Sequence, residues 1–310
     1  IKRNTFLTKK HIIETKILPY FGKRKLDDIR TSDVIQWQNE ITKLKKDNGE
    51  LFSQTYLKTI HNQLSAILNH AVNMYGLKDN VARKAGTMGK EENKEMEFWT
   101  QEKFQKFLEC VADKPISYYA FEMLYWTGIR EGKLLALTPA DFNFEKKTLR
   151  INKSYQRLEG EDVITDPKTP KSNRTIVMPD FLTIEMEDFI KSICGIKIDD
   201  RIFTISKSYL HHEMDRGAKL AGVKRIRVHG LRHSHISLLI NLGFSALAIG
   251  ERVGHEAVDI TYHYAHLFPT VQTDMAGQLE TEREALVNVR NSIKENELIT
   301  LIENNRGTND

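Results

Sequence analysis

The stretch ISYYAFEMLYWTGIREGKLLALTPADFNFEKKTLRINKS, residues 116–154, changes its hydrophobic period twice. From Ile116 to Thr127 apolar residues occur on almost every side, the pattern of a buried helix. Gly128, just past that run, is a helix-stop signal. The tight TGIREG turn then places Arg130 between glycines, at the start of the core residues Leu134–Leu137. Thr138-Pro139 restarts a short helix by the cap-then-proline signal. From Thr148 onward apolar and polar residues alternate, as a half-buried strand requires. The alternation of TLRINKS returns in EDVITDP (161–167) and SNRTIVMP (172–179), so three short strands are expected, carrying Lys153, Lys168, Lys171 and Arg174. The fold class this implies is mainly α (α+β), with a small antiparallel sheet inside a helical domain.

Helices are expected on either side of that stretch. Upstream, Thr100 caps a helix whose buried stripe is Phe104, Phe107, Leu108 and Val111. Residues 83–97, RKAGTMGKEENKEME, have almost no apolar periodicity and are expected to be an interdomain linker. Residues 1–82 read as a small helical domain. Ile12, Ile13, Ile17 and Leu18 recur at helical spacing until Pro19 and Gly22 end the run. Thr31 or Ser32 caps a second helix. A third runs from Ser53 through Leu57, Ile60, Leu64, Ile67, Leu68, Ala71 and Met74 to Gly76. Downstream, residues 180–222 return to helices with Ile184, Met186, Phe189 and Ile190 apolar. Leu286, Val289, Ile293 and Leu298 mark an amphipathic helix near the end of the chain.

With 310 residues, 40% of them hydrophobic and 28% charged, the chain is long enough for two domains with separate cores. No apolar run approaches the roughly 18 residues that span a bilayer, so no membrane association is expected. Cys110 and Cys194 match no ligand spacing and read as reduced core thiols of a cytosolic protein. The net charge of +4 is unevenly spread: residues 1–96 carry +7, residues 97–273 carry +1 and residues 274–310 carry −4. A basic N-terminal third is the footprint of a DNA-contacting module, with solvated surface charge as the plainer possibility. The first residue is Ile1 rather than Met, which suggests a fragment.

Chemistry-bearing side chains gather in HGLRHSH (His229–His235) and VGHEAVDITYHYAHL (Val253–Leu267). His229 and His233 stand four apart, but no nearby Glu completes an HExxH pattern and no Cys is close, which argues against zinc. The adjacent His211 and His212 face different ways on a helix and read as surface residues. No metal and no cofactor is expected. A guanidinium, several imidazoles and two tyrosines together suit a site that grips a phosphodiester and attacks it with a tyrosine.

Taken in order, TGIREG, PKTPKSNRT, HGLRHSH and the GH…Y interval of nine residues resemble the tyrosine recombinase (phage integrase) family. The resemblance covers about residues 1–285, and ILPYFGKRKLDDIRTSDVIQWQNEI resembles the core-binding domain of integrases from conjugative transposons and temperate phages. In that subgroup a small arm-binding domain usually comes first, in keeping with the missing start Met. The resemblance implies a core-binding domain over 1–82, the linker at 83–97, a catalytic domain over 98–285, and a C-terminal helix and tail over 286–310 that packs on its own domain or on a neighbouring subunit. It implies two domains closing around duplex DNA and a homotetramer assembled on attachment sites. Accessory DNA-bending or excision factors would be further partners, and the setting a bacterial cytosol. It implies Arg130 and Arg232 as the arginine pair, Lys168 as the hairpin lysine with Lys171 as fallback, His229 and His255 as the two histidines, and Tyr264 as nucleophile in preference to Tyr262.

One position departs from that family's R-x-G-E pattern. The sequence here is Arg130-Glu131-Gly132-Lys133, so a lysine stands where the carboxylate supports the site, and Glu131 is expected to point elsewhere. Either the enzyme is attenuated there or the position has been changed. The function implied is DNA strand cleavage and rejoining through a 3′-phosphotyrosine, integrating or excising a mobile element. The alternatives are a DNA-binding protein without chemistry, a topoisomerase-like DNA relaxase, and a metal-dependent nuclease.

Overall fold

The computed structural model describes residues 1–90, 96–166, 173–254, 276–284 and 287. It divides into two units, Ile1–Glu95 and Met96–Asp310. In the first, helix α1 (Arg3–Ile12) does not end at the proline. It widens into a π turn over Ile13–Ile17 and continues as α2 (Leu18–Phe21), with Pro19 in its first turn. A wider turn accommodates a residue that has no N–H and whose ring crowds the preceding carbonyls. The Trp37 indole donates to the Lys16 carbonyl inside that turn at 2.8 Å.

Helix α3 (Thr31–Lys43) is capped by neither Thr31 nor Ser32; the Arg30 N–H instead donates to the Asp33 carboxylate at 2.8 Å. Helix α4 (Gln54–Tyr75) starts at Ser53, whose hydroxyl accepts the Tyr56 N–H, and stops at Gly76 with φ 73°. Its stripe is buried from Leu57 to Ala71, but Met74 lies beyond it, 69% exposed. After α5 (Val81–Lys84) the part of the expected linker described up to Lys90 still belongs to this unit. Met88 is buried in the same core as Trp37 and Ile60, and the Gln38 amide donates to the Gly86 carbonyl at 2.8 Å. A single helical turn followed by one apolar residue is too short to register as a period.

The second unit is helical around one large core. Thr100 caps α6 (Gln101–Val111), and Phe104 stacks on Tyr125 of α7 (Pro115–Thr127) with ring centroids 3.8 Å apart. The short α8 is Glu131–Leu134. A Cβ on Gly132 would lie 2.9 Å from the Ser154 hydroxyl, so glycine is what lets α8 approach the strand that follows. That strand exposes a difference from the expected sheet. Strands β1 (Phe142–Asn143), β2 (Thr148–Ile151) and β5 (Arg174–Val177) form one antiparallel sheet in the order β1-β2-β5. Strands β3 (Ser154–Leu158) and β4 (Glu161–Thr165) form a separate hairpin. The hairpin turns at Glu159 and Gly160, both at positive φ, as a two-residue turn between twisted strands requires. The alternation runs without a break through β2 and β3, so it hides the point where the chain changes sheets.

Helices α9 (Asp180–Ser192), α10 (Lys207–Leu220), α11 (Gly230–Asn241) and α12 (Ala246–Val253) follow in the unit. Gly217 of α10 meets α6 so closely that a Cβ there would stand 2.5 Å from the Phe107 ring. Ile184 on α9 is 60% exposed, outside the core. The cysteines are not core thiols either: Cys110 is half-buried and Cys194 exposed, both free. Among the described residues no helix is long and apolar enough to cross a membrane. Leu286, Val289, Ile293 and Leu298 lie outside the described residues.

Candidate active site

The ends of α7 and α12 are tied together by one arginine. Arg232, in the first turn of α11 and 3% exposed, donates from Nη1 to the Gly128 carbonyl at 2.5 Å and from Nη2 to the Val253 carbonyl at 2.6 Å. Carbonyls at a helix C-terminus lack intrahelical partners and carry the negative end of the helix dipole, so a buried guanidinium satisfies both needs. Gly128 has φ 62°, and a Cβ there would sit 2.6 Å from the His235 ring, so the turn requires glycine on two counts.

A second arginine repeats the arrangement. Arg252 donates to the carbonyls of Val177 (3.0 Å) and Trp126 (3.4 Å) and to His235 Nε2 (3.2 Å). His235 is therefore a buried positioning residue: desolvation and the neighbouring Arg252 push its imidazole down to about 3, which keeps it neutral as an acceptor. Arg174 on β5 donates from Nε to the Arg252 carbonyl at 2.7 Å. Its Nη1 and Nη2 are buried with no hydrogen-bond partner among the described residues.

Arg130 opens α8 two residues after Gly128, and Lys133 follows one turn later, 5% exposed. Burial, then the charges of Arg174, Arg130 and Arg232, push the Lys133 ammonium down to about 7. Burial, then Arg130 and Arg252, push the Arg174 guanidinium down to about 10. His229 stands at the solvent-open rim, 5.0 Å from His233 ring to ring. The protein mass beneath it, then His233, Arg232 and Arg130, hold it below the ordinary histidine value, so it is neutral at pH 7. Glu131 turns away from the arginines as expected. It lies 3.6 Å from His211 on α10, and burial raises its carboxyl against the pull of His211 and Lys207.

Arg130, His229 and Arg232 are thus brought together. Lys168, Lys171, His255, Tyr262 and Tyr264 lie outside the described residues; the chain reaches the end of α12 at Gly254, one residue before His255. Lys153 is structural, held at 2.7 Å from the buried Asp141 and 2.8 Å from the Thr138 hydroxyl. Of the remaining members, Arg174 was named only as a cation on its strand, and Arg252 and Ser234 were not singled out from the sequence. Arg174 shares a strand face with the buried Ile176, and an arginine on the apolar face of a strand is a readable signal. Arg252 stands three residues after the buried Ile249 on α12, a similar signal. Ser234 carried no signal, yet its hydroxyl accepts the Trp99 N–H at 2.8 Å and ties the start of this unit to α11. Among the described residues no group of three metal-ligating side chains is found. Several guanidiniums and an ammonium in one buried corner suit an anion with more than one oxygen.

Comparison with known proteins agrees with this chemistry. The model of the phage integrase family matches residues 97–270, and that of the phage integrase N-terminal SAM-like domain matches residues 1–42. The ICEBs1 integrase of Bacillus subtilis is 31% identical over 299 residues, covering 90% of this chain and 78% of that protein. A tyrosine recombinase XerC-like protein of Caldanaerobacter subterraneus is 25% identical, covering 81% of this chain and 70% of its own. Among solved structures, the Tn1549 transposon integrase in complex with a circular intermediate DNA superposes with a TM-score of 0.72 at 20% identity, over 85% of this chain and 89% of that one. A lambda integrase dimer bound to a core site gives 0.61 at 18% identity, over 85% and 72%.

Proposed function

This chain belongs to the phage integrase (tyrosine recombinase) family, and from that premise we propose how its own residues carry out site-specific DNA recombination. The enzyme breaks and rejoins DNA strands; the roles below are our reading of this chain. Arg130 and Arg232 hold the non-bridging oxygens of the scissile phosphate. Arg232 uses one N–H of each terminal nitrogen on a backbone carbonyl, so its fork is fixed in place before DNA arrives. The Tyr264 phenol attacks phosphorus, forming the tyrosyl O–P bond as the bond to the 5′ oxygen breaks. A phenol with an ordinary value of about 10 needs that charge stabilisation to react near neutrality. The leaving 5′ oxygen takes a proton from Lys168 or Lys171, and His229 and His255 donate hydrogen bonds and handle the phenolic proton. The result is a 3′-phosphotyrosine and a free 5′ hydroxyl. The 5′ hydroxyl of another strand then reverses the step, so the bond energy is kept.

The observation that carries this reading is the convergence of half-buried Arg130 and Arg174 on buried Lys133 and Arg232 at the joined ends of α7 and α12. The +7 carried by residues 1–96 supports backbone contact by the first unit. Attachment-site DNA is the proposed partner, a homotetramer the working form, and residues 286–310 a contact to a neighbouring subunit. Accessory DNA-bending or excision factors and a bacterial cytosolic setting complete the proposal.

The test uses nicked suicide duplexes carrying the ends of the DNA element that encodes the chain, resolved on denaturing gels. A covalent protein–DNA band is expected, and Tyr264→Phe removes it while duplex binding persists. Attachment retained in Tyr264→Phe would sink the nucleophile assignment.

A further inference from the structure

Arg232 reaches its two carbonyls from a helix that is itself held from behind. We propose that Ser234 is a positioning residue of the cleavage reaction. Its hydroxyl fixes the first turn of α11 against the backbone of residues 97–99, and through that turn it fixes the fork of Arg232.

Two close approaches place that backbone. The Trp99 N–H donates to the Ser234 hydroxyl at 2.8 Å, and the hydroxyl donates in turn to the Gly230 carbonyl at 3.1 Å. One turn earlier on α11, a Cβ on Gly230 would stand 3.0 Å from the Glu97 carbonyl oxygen, so the same segment lies against the helix there too. Residues four apart share a helix face, so Gly230 and Ser234 both turn toward residues 97–99. Arg232 stands midway between them and projects from the opposite face, where the Gly128 and Val253 carbonyls receive it. The turn is gripped on both sides.

The segment has anchors of its own. The Trp99 indole donates to the Lys224 carbonyl at 2.8 Å, and its ring packs on Phe107 of α6 with centroids 4.9 Å apart. Ser234 is 0% exposed, so water does not stand in for either of its bonds. Only a group that both accepts and donates fills that place; alanine leaves the buried Trp99 N–H without its acceptor. A fork that must meet a phosphate to within a fraction of an ångström is sensitive to the shift of the turn that follows. The part in cleavage rests on the recombinase reading; the hold on Arg232 does not.

Both are measured. The full chain is labelled with ¹⁵N, and the Arg232 side-chain resonances are assigned as those missing in Arg232→Lys. With Nη1 and Nη2 each tied to a carbonyl, the guanidinium is expected to rotate slowly and to show separate Nη–H signals. In Ser234→Ala these should shift and broaden toward coalescence. Ser117→Ala is the control: Ser117 is equally buried, and its hydroxyl, 2.9 Å from the Tyr209 hydroxyl and 3.2 Å from Glu213, joins α7 to α10 instead. It should lower the urea midpoint at least as far and leave the Arg232 signals in place. On suicide duplexes at saturating DNA, the single-turnover cleavage rate of Ser234→Ala is expected to fall about tenfold with duplex affinity kept, while Ser117→Ala keeps the parent rate. Arg232 signals unmoved in Ser234→Ala, or moved equally in Ser117→Ala, overturn the proposal, as do moved signals with an undiminished cleavage rate. Moved signals in a chain whose parent never attaches to DNA support the hold on Arg232 and remove the recombinase reading instead.

Discussion

Glu213 on α10 and Lys133 on α8 are buried to the same degree, 4% and 5% exposed, but their surroundings are opposite. Glu213 accepts from Lys114 at 2.6 Å, from Arg216 at 2.7 Å and from the Ser117 hydroxyl at 3.2 Å, and Arg216 also reaches Asp113 at 2.8 Å. Burial pushes the Glu213 carboxyl up, but the hydrogen bonds from Arg216 and Lys114 outweigh it and hold it below the ordinary value. Every charge there meets its opposite within the protein. Around Lys133, burial and then the charges of Arg174, Arg130 and Arg232 push the ammonium down to about 7. The first corner is complete as it stands and fastens α6, α7 and α10. The second gathers cations and is steadied by helix-end carbonyls. Burial of a charged group therefore says little about role; the sign of what surrounds it says much more.

The comparison predicts that the two corners fail differently. Arg232→Lys keeps the charge but cannot reach both Gly128 and Val253 while presenting a fork to phosphate. Cleavage in the suicide-duplex assay should fall about 10²- to 10³-fold, the usual loss when a transition-state donor is removed. Thermal unfolding should change far less than cleavage does. If cleavage stays within a few-fold of the parent, the cationic corner is structural and the contrast collapses.

Glu213→Ala should do the reverse. It strands the buried end of a hydrogen-bonded charge network, for which a loss of about 2–4 kcal/mol is expected, below the top of the range because Lys114 and Arg216 keep contact with solvent. Urea unfolding measures it. The acid dependence follows from the lowered carboxyl. The stabilisation is present above the ordinary carboxylate value and is lost as pH falls through the lowered value, so the parent and Glu213→Ala should converge in acid.

What could be read in the sequence divides along the same line. The helices with long apolar stripes, α4, α6 and α7, were legible because periodicity records burial directly. Gly128 and the turn after it were legible because a buried helix commonly stops at a glycine that can take positive φ. Arg130, His229 and Arg232 were legible through their order along the chain, and the structure brings them into one corner. The split between β2 and β3 was not, since alternation is unchanged when a strand passes from one sheet to another. Arg252 was missed and Arg174 was given no role because their partners, backbone carbonyls 75 and 78 residues away, leave no mark on local sequence. Met88 falls inside the expected linker because one buried side chain after a four-residue helix carries no period.

The smallest expected effect is the one that most sharpens the contrast, because it runs against the usual direction of core mutations. Replacing a buried lysine by an apolar side chain of similar length should stabilise a corner crowded with like charge, so Lys133→Met is expected to raise stability by about 1–3 kcal/mol at pH 6. The sign of the pH dependence is fixed. In the folded chain the amine is pushed down to about 7, while the unfolded chain keeps its lysine value of about 10.4. Between those limits the unfolded state binds more protons, so the parent gains stability as pH rises. Below about 7 both states carry the proton and the full penalty applies. The advantage of Lys133→Met should therefore be greatest at pH 6 and shrink steadily toward pH 10. A variant that is less stable than the parent at both ends would mean that the ammonium is already balanced within the protein, and the two corners would then be built alike.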